Sequence, residues 1–354
     1  MQLPHGVTST DGNAKVLKLL KNIYGQKQAE PDESKIMEEI KNLSVECKIE
    51  DKGQIEDYLG VNVKYTNDKS IELTQPQLIE EILKDLGLRT KDSIRETPAL
   101  SSKILHRHLE EPEADIVWNY RSVIGKLNYL EKSTRPDIAY AVHQCARFME
   151  KPRKSHVEAV YHIERYLLGS REHGLILTPK KRRCLENYVD ADFCGNWKRM
   201  TAAEDPSTAK SRTGFIIMFA GCPISWCSKL QTMVALSTTE AEYIALSHSL
   251  REVIPMIQLL NELKGKGFHT FTEEPLIHCK CFEDNSGALE ISRLPKIRPR
   301  TKHINIVYHH FRSFVKEGKV KILPIESADQ IGDVHTKPLA KALFIKFRKL
   351  MMGW

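Results

Sequence analysis

The sequence predicts an α/β protein in which a mixed sheet flanked by helices forms the second half and a smaller α+β region precedes it. After residue 184 short strand patterns alternate with helical patterns, an order that gives a sheet covered by helices. Before residue 178 a strand hairpin is followed by a long helical stretch. The change across the basic linker 179–183 predicts separate domains at 35–178 and 184–354, the second able to fold alone.

The elements of the first half follow from apolar periodicity and proline positions. Apolar and polar residues alternate on both sides of the Asn67-Asp68 turn, as a hairpin requires. Pro136 and Pro152 divide the helical stretch at positions suited to the first turn of a helix. The predicted order is a helix at 35–45, strands at 58–65 and 71–73, a helix at 75–86, a loop at 90–117, helices over 120–168 and a strand at 174–177.

The second half predicts five strands, two of them joined as a hairpin around Gly221, and the helices that cover them. The predicted order is strands at 187–193, 214–219 and 223–226, a helix at 238–263, a strand at 275–282, helices at 285–291 and 308–317, a strand at 319–325, and helices at 329–334 and 339–351.

Composition is that of an ordinary globular protein. Of 354 residues 41% are hydrophobic and 28% are charged, which excludes wholesale disorder. No apolar stretch approaches the roughly 18 residues of a membrane span, and no secretory signal pattern opens the sequence. The eight cysteines show no repeated pair spacing, so we expect reduced thiols in an intracellular, non-secreted protein. A net charge of +7 is compatible with a polyanionic partner but decides little.

Acidic residues accompany three of the predicted strands. Asp190 lies in the strand at 187–193, Asp284 follows the strand at 275–282, and Asp333 comes just after the strand at 319–325. Sites in open α/β sheets form beyond the carboxyl ends of strands, so these side chains are expected to converge. Asp190 and Asp192 share one strand face, so one can be a ligand and the other its neighbour.

Helical geometry distinguishes two glutamates near the start of the long predicted helix. With Leu246 at zero and about 100° per residue, Glu242 falls at about −40° and Glu240 at about +120°. Glu242 therefore lies in the apolar stripe facing the sheet, where a carboxylate needs a compensating metal or partner. Glu240 points away and is predicted to be a surface charge or an N-terminal charge that favours the helix dipole.

The ligand types indicate which metal such a site would hold. Carboxylates without clustered histidine or cysteine favour a hard divalent cation, Mg²⁺ or Mn²⁺. Two alternatives remain open. The acids could be exposed charges that never meet, and His278, Cys279 and Cys281 could form a ligand cluster, although buried thiols in a strand account better for the two cysteines.

A basic segment follows the predicted Asp284 helix. Five cations fall within ten residues, at Arg293, Lys296, Arg298, Arg300 and Lys302. This density beside the acids favours a nucleic-acid-binding surface that follows phosphates, although such runs are often only solvated.

Seven sequence blocks occur in a fixed order across 184–354. They read YVDADF at 188–193, SRTGF at 211–215, ISWCSKLQ at 224–231, ALSTTEAEY at 235–243, EDNS at 283–286, RTKHI at 300–304 and DVHTKPL at 333–339. Together they resemble the ribonuclease H domain of copia-type LTR-retrotransposon Pol polyproteins.

This resemblance implies a ribonuclease H-like fold with four metal-binding catalytic carboxylates, which fall here on Asp190, Glu242, Asp284 and Asp333. It implies two Mg²⁺ (or Mn²⁺) ions about 3.5–4 Å apart at the scissile phosphate. The implied reaction is endonucleolytic hydrolysis of the RNA strand of an RNA–DNA hybrid, with RNA recognised through 2′-OH contacts. No membrane and no small-molecule cofactor is implied, and the oligomeric state stays open.

The first half resembles the reverse transcriptase of the same polyproteins at 21–29, 57–60, 120–130 and 134–138. Residues 1–29 would be a fingers and palm remnant, and 35–178 a palm-edge, thumb and connection remnant. In the family a Tyr-Val-Asp-Asp motif lies between the first two blocks, but this sequence contains no Asp-Asp dipeptide. We therefore expect an internal deletion and no polymerase activity. The expected function is a hybrid ribonuclease in cytoplasmic virus-like particles or the nucleus, and the alternative is a catalytically inactive nucleic-acid-binding remnant.

Overall fold

A computed structural model describes residues 41–42, 44–45, 54–87, 94–100, 105–107, 111–180, 184–199, 202–203, 205–266, 278–293 and 309–354. These residues form a mixed α/β structure with one sheet in each half of the chain, so the predicted fold class is confirmed. The predicted block at 1–29 and nearly all of the predicted helix at 35–45 lie outside the described residues. None of the described helices is both long and apolar enough to cross a membrane.

The first half builds a four-stranded antiparallel sheet. Its strands are β1 (Asp57–Tyr58), β2 (Val61–Tyr65), β3 (Ile71–Thr74) and β4 (Leu175–Leu177), in the spatial order β1-β2-β3-β4. β2 and β3 form the predicted hairpin, with Val63 opposite Leu73. In its turn the Asp68 carboxylate accepts a hydrogen bond from the Ser70 backbone amide at 3.1 Å. Local alternation and turn chemistry therefore account for this hairpin.

Four helices pack with this sheet in one apolar cluster. They are α1 (Pro76–Leu86), α2 (Tyr120–Ser133), α3 (Ala139–Ala146) and α4 (Lys154–Gly169). α1 ends at Gly87, whose φ of +78° is the left-handed conformation that glycine adopts without strain. Pro136 opens a 3₁₀ turn between α2 and α3, and α4 begins just after Pro152. Both predicted breaks are confirmed.

The second half builds a five-stranded mixed sheet. Its strands are β5 (Leu185–Asp192), β6 (Arg212–Phe219), β7 (Cys222–Leu230), β8 (Cys279–Glu283) and β9 (Val320–Pro324), in the spatial order β7-β6-β5-β8-β9. β5, β6 and β7 are antiparallel neighbours, whereas β5, β8 and β9 run parallel. The crossovers contain α5 (Thr238–Gly265), α6 (Ser286–Arg293) and α7 (Arg312–Lys316), and α8 (Lys341–Met352) follows β9.

Two predicted helices differ from the expected form. The helix predicted at 308–317 is shorter than expected: α7 begins at Arg312 and ends at Lys316, before Gly318 at φ +74°. The helix predicted at 329–334 is instead a pair of 3₁₀ turns, Ser327–Asp329 and Ile331–His335. Gln330 explains the second turn, because its side chain donates to the Val189 carbonyl (2.8 Å) and accepts from the Gly332 amide (3.2 Å). These bonds compete with α-helical pairing and hold the segment against β5.

An apolar cluster joins the two halves of the chain. One face of the second sheet, which bears Ile216 and Met218, packs in the same cluster as the first-half helices and Phe347 of α8. Across this contact Trp226 Nε1 donates a hydrogen bond to the Glu131 backbone carbonyl at 2.8 Å. Independent folding of 184–354 stays a prediction, and because the halves share this cluster, the full chain is the protein to test.

Candidate metal centre

Three of the four predicted carboxylates lie near or after the carboxyl ends of strands in the second sheet, and the fourth lies on the helix α5. β5, β8 and β9 are parallel, so their carboxyl ends meet at one edge of this sheet. Asp190 lies near the end of β5, Asp284 directly follows β8, and Asp333 lies in the 3₁₀ turn after β9. Glu242 lies near the start of α5, whose apolar side shares a core with β5. The strand directions thus produce the convergence that the sequence predicted.

Asp190, Glu242 and Asp284 form a group that could hold a metal ion. Each offers one oxygen, and the three oxygens lie within 4.8 Å of one another. Within the described part of the chain this is the one such group of three or more His, Cys, Asp or Glu side chains. The alternative in which these three acids never meet is therefore wrong, and among the described residues His278 joins no such group.

Glu242 is a buried acid, as the helical wheel indicated. Its exposed fraction is 6%, and among the described residues its Oε2 has no hydrogen-bond partner. A buried carboxylate oxygen without a partner loses hydration and gains nothing in return. Glu242 therefore fits a position that is completed by a bound cation.

Glu240 is not the surface charge that the wheel allowed. It is 6% exposed, and its Oε2 accepts a hydrogen bond from the Leu236 backbone amide at 2.7 Å. Its own amide donates to the hydroxyl of Ser237, the N-cap of α5, at 3.1 Å. The N-terminal role is confirmed and the surface position is wrong, because the loop before α5 folds over this carboxylate.

Asp333 joins the site through a different partner. Its carboxylate lies 3.0 Å from Lys337 Nζ, and the same ammonium lies 3.9 Å from Asp190 Oδ2. Asp333 is not one of the three clustered acids. Lys337 was not among the predicted site residues, although a cation four residues after an acid is a spacing that allows such a pair.

Gly214 permits the close approach of the Asp333 segment to β5. It lies opposite Asp190 in the β5–β6 pair, and a Cβ there would lie 2.5 Å from Thr336 Cγ2 and 2.9 Å from His335 Cβ. Thr336 is buried, and its hydroxyl donates a short hydrogen bond to the Asp190 carboxylate. Gly214 and Thr336 therefore position Asp190 relative to Asp333.

Glu283 is a buried acid beside the site that was not predicted from the sequence. It is fully buried, its Oε1 accepts a hydrogen bond from the Asn285 amide (3.1 Å), and its Oε2 has no partner among the described residues. The available signal was strand alternation, because Glu283 shares a face of β8 with the buried Cys279 and Cys281.

Crowding and burial shift the pKa values of these acids upwards. Burial raises the pKa of Asp190, and the nearby Lys337 ammonium opposes that shift. Burial, followed by the charges of Glu283 and Asp190, raises the pKa of Glu242 well above its ordinary value. Burial and then Asp190 raise the pKa of Asp333 to about 7. The site therefore holds more negative charge than its one lysine balances.

Without divalent cations, Asp333→Asn is expected to raise the melting temperature of the full chain at pH 8 by a few degrees. The native pKa of about 7 exceeds the ordinary 3.8, so wild-type stability falls as the pH rises through this interval and Asp333 ionises. The gain should shrink from pH 8 to pH 5 and vanish only below about pH 4, where Asp333 is protonated in both the folded and the unfolded state. Burial lowers the pKa of His335 to about 3, but His335 is present in both proteins and cancels in the difference.

Calorimetry in EDTA from pH 5 to pH 8 measures this difference. A gain that is constant, or larger at pH 5, would contradict the assignment of the raised pKa to Asp333.

Arg293 is the one predicted nucleic-acid ligand that lies among the described residues. Its Nη2 donates to the Ile322 backbone carbonyl at 2.8 Å, so part of its guanidinium is committed to β9. Lys296, Arg298, Arg300 and Lys302 lie outside the described residues. Contact of these five cations with nucleic acid stays a prediction.

Comparisons with known proteins found similar sequences in transposons. The chain is 33% identical over 306 residues to a retrovirus-related Pol polyprotein from transposon RE1 of Arabidopsis thaliana, a match covering 86% of this chain and 19% of the relative. It is 34% identical over 315 residues to that from transposon TNT 1-94 of Nicotiana tabacum, covering 88% and 22%. An uncharacterised mitochondrial protein of Arabidopsis thaliana is 32% identical over 214 residues, covering 60% and 82%. The chain spans about a fifth of the length of the two polyproteins. No protein-family model matches it.

Proposed function

The chain belongs to the family of retrovirus-related Pol polyproteins of copia-type transposons, and we propose that it is a ribonuclease H that hydrolyses the RNA strand of RNA–DNA hybrids. The proposal places it inside the cell, in a cytoplasmic virus-like particle or the nucleus, where such hybrids are made. The proposed reaction needs no small-molecule cofactor.

The observation that carries this proposal is the group formed by the buried Asp190 and Glu242 and the half-buried Asp284, whose oxygens lie within 4.8 Å of one another. All three donors are hard oxygens, which suits Mg²⁺ or Mn²⁺. The partnerless Oε2 of Glu242 and the raised pKa values of Glu242 and Asp190 indicate that a cation is needed to balance the site. The residues present therefore fit a divalent metal centre, which we propose takes two ions.

The chain's own residues would hold the metal and present it to the phosphate backbone. The Thr336 hydroxyl fixes Asp190, and the Ser327 hydroxyl donates to Asp284 Oδ2 at 2.8 Å. Bound divalent cations would supply Lewis-acid stabilisation of the phosphate and a water of lowered pKa. Contacts to 2′-hydroxyl groups would select RNA over DNA.

The test uses the full chain and labelled RNA annealed to DNA, with Mg²⁺ or with EDTA. We expect cleavage of the hybrid's RNA strand only with Mg²⁺, and no cleavage of single-stranded RNA or duplex DNA. A folded chain that binds the hybrid without cutting it would support the alternative, a catalytically inactive nucleic-acid-binding remnant.

We also expect that the chain does not extend a primer on an RNA or DNA template with Mg²⁺ or Mn²⁺. Nucleotidyl transfer uses two metals held by aspartates, and the sequence between 29 and 57 has no Asp-Asp pair. Incorporation of labelled dNTP, compared with a heat-killed control, measures this. Incorporation above that control would show that other acids hold a polymerase site.

A further inference from the structure

We propose that the ammonium group of Lys337 fills the place of a second divalent cation, so that the site takes its first ion at Asp190, Glu242 and Asp284 and its second only when Lys337 moves away. The inference rests on the proposed function, because it concerns how that same site is loaded with metal.

The geometry divides the acids into two groups that share Asp190. One group is the three clustered acids, whose oxygens are close enough for one ion. The other is Asp190 with Asp333, and there Lys337 Nζ lies 3.9 Å from Asp190 Oδ2 and 3.0 Å from Asp333 Oδ1. A cation using Asp190 and Asp333 together would meet the lysine ammonium, which already carries positive charge at that place.

The backbone holds Lys337 at this position. The amides of Thr336 and Lys337 both donate to the Asp333 carbonyl, at 3.2 and 3.1 Å. The Thr336 hydroxyl is bonded to the Asp190 carboxylate, so the residue before Lys337 is tied to the central ligand. The lysine therefore projects from a segment whose distance from the acids is fixed by at least three hydrogen bonds.

Charge also favours a built-in cation at this point. Five carboxylates are gathered here, those of Asp190, Glu242, Glu283, Asp284 and Asp333. Within the described residues Lys337 is the one cation that forms an ion pair with any of them. Its removal leaves more uncompensated negative charge for a divalent ion to balance.

The lysine can also leave this position. Its side chain is 42% exposed, compared with 4% and 5% for those of Asp190 and Asp333. An ammonium on a flexible four-carbon stem can swing from the acids to a phosphate of the bound strand. Substrate binding would thus open the second metal place by drawing Lys337 away.

Calorimetric titration of the metal-free full chain with Mn²⁺ tests this proposal. Wild type is expected to bind one ion tightly, and Lys337→Met to bind a second at least about tenfold more tightly than wild type does. Lys341→Met is the matched control, since it removes the same charge from a residue that pairs with Glu96 instead, at 2.5 Å. Lys337→Gln repeats the measurement in case the methionine variant fails to fold, which circular dichroism reports.

Each outcome decides one claim. Equal stoichiometry and affinities in wild type, Lys337→Met and Lys337→Gln would overturn the role of Lys337 while leaving the metal centre standing. Equal tightening in Lys341→Met would also overturn it, by showing a general effect of net charge. Absence of Mn²⁺ binding in every protein would overturn the proposed function, and this inference with it.

Discussion

Asp190→Asn in the full chain is expected to reduce Mg²⁺-dependent cleavage of the RNA strand by about a thousandfold or more. Asp190 is the acid common to the three-oxygen cluster and to the Lys337 pair, so its loss disturbs every proposed metal place. Metal ions contribute several kcal/mol to the stabilisation of a phosphoryl transition state, and about 4 kcal/mol corresponds to about a thousandfold in rate. Initial rates on one labelled hybrid measure the effect.

Asp192→Asn is the matched control for this loss. It makes the same chemical change two residues along the same strand, on a half-buried side chain outside the cluster. We expect it to retain activity within a few fold. If Asp192→Asn were inactive and Asp190→Asn active, the metal would be held by a different set of acids.

The face that Asp190 occupies could be predicted because strand alternation is a local pattern. That the strands of an α/β sheet bring their carboxyl ends together is a general rule, and the parallel pairing of β5, β8 and β9 satisfies it. The Lys337 pair follows from neither. It depends on a 3₁₀ turn held to β5 by Gln330, and no periodic pattern predicts that contact.

Glu240 shows where a helical wheel stops being informative. The wheel gives the angle of a side chain relative to one apolar stripe, and its angles for Glu240 and Glu242 followed from sequence alone. It does not include the chain that precedes the helix, which here bends back so that the Leu236 amide reaches Glu240. Burial at a helix end depends on such a loop, so the surface position of Glu240 was predicted wrongly although its place as an acid in the first turn of α5 was predicted correctly.

The apolar cluster shared by the two halves shows that a local sequence pattern also does not predict which distant segments cover a sheet face. Alternation along β6 predicts that Ile216 and Met218 share a face, but it does not identify what covers that face. The first-half helices cover it together with α8, and this is a long-range choice made by the packing of the whole chain. A change of sequence texture near residue 180 therefore marks a change of architecture, and the second half contributes both to this shared cluster and to a cluster formed by its own residues between Leu185 and Ile322.

Glu242→Gln is expected to lose activity and gain stability, whereas Glu240→Gln is expected to keep activity and lose stability. Glu242→Gln removes a proposed metal ligand and should lower cleavage by about a thousandfold or more, as for Asp190. In EDTA at pH 8 the same variant should melt at a higher temperature than wild type. In wild type the pKa of Glu242 is raised by burial and by the charge of Glu283, so the folded state favours a neutral group at this position.

Glu240→Gln should behave in the reverse way. Its amide oxygen can still accept from Leu236, so cleavage should stay within about threefold of wild type. The loss of a negative charge in the first turn of α5 should cost about 0.3–1 kcal/mol of folding stability. Cleavage rates and melting curves for both variants, measured on the full chain, provide the comparison.

Because both glutamates are 6% exposed and lie two residues apart, burial alone predicts similar losses for the two. Similar losses of activity would therefore assign both effects to damaged packing of α5, whereas opposite signs in the two measurements require that Glu242 alone faces the metal.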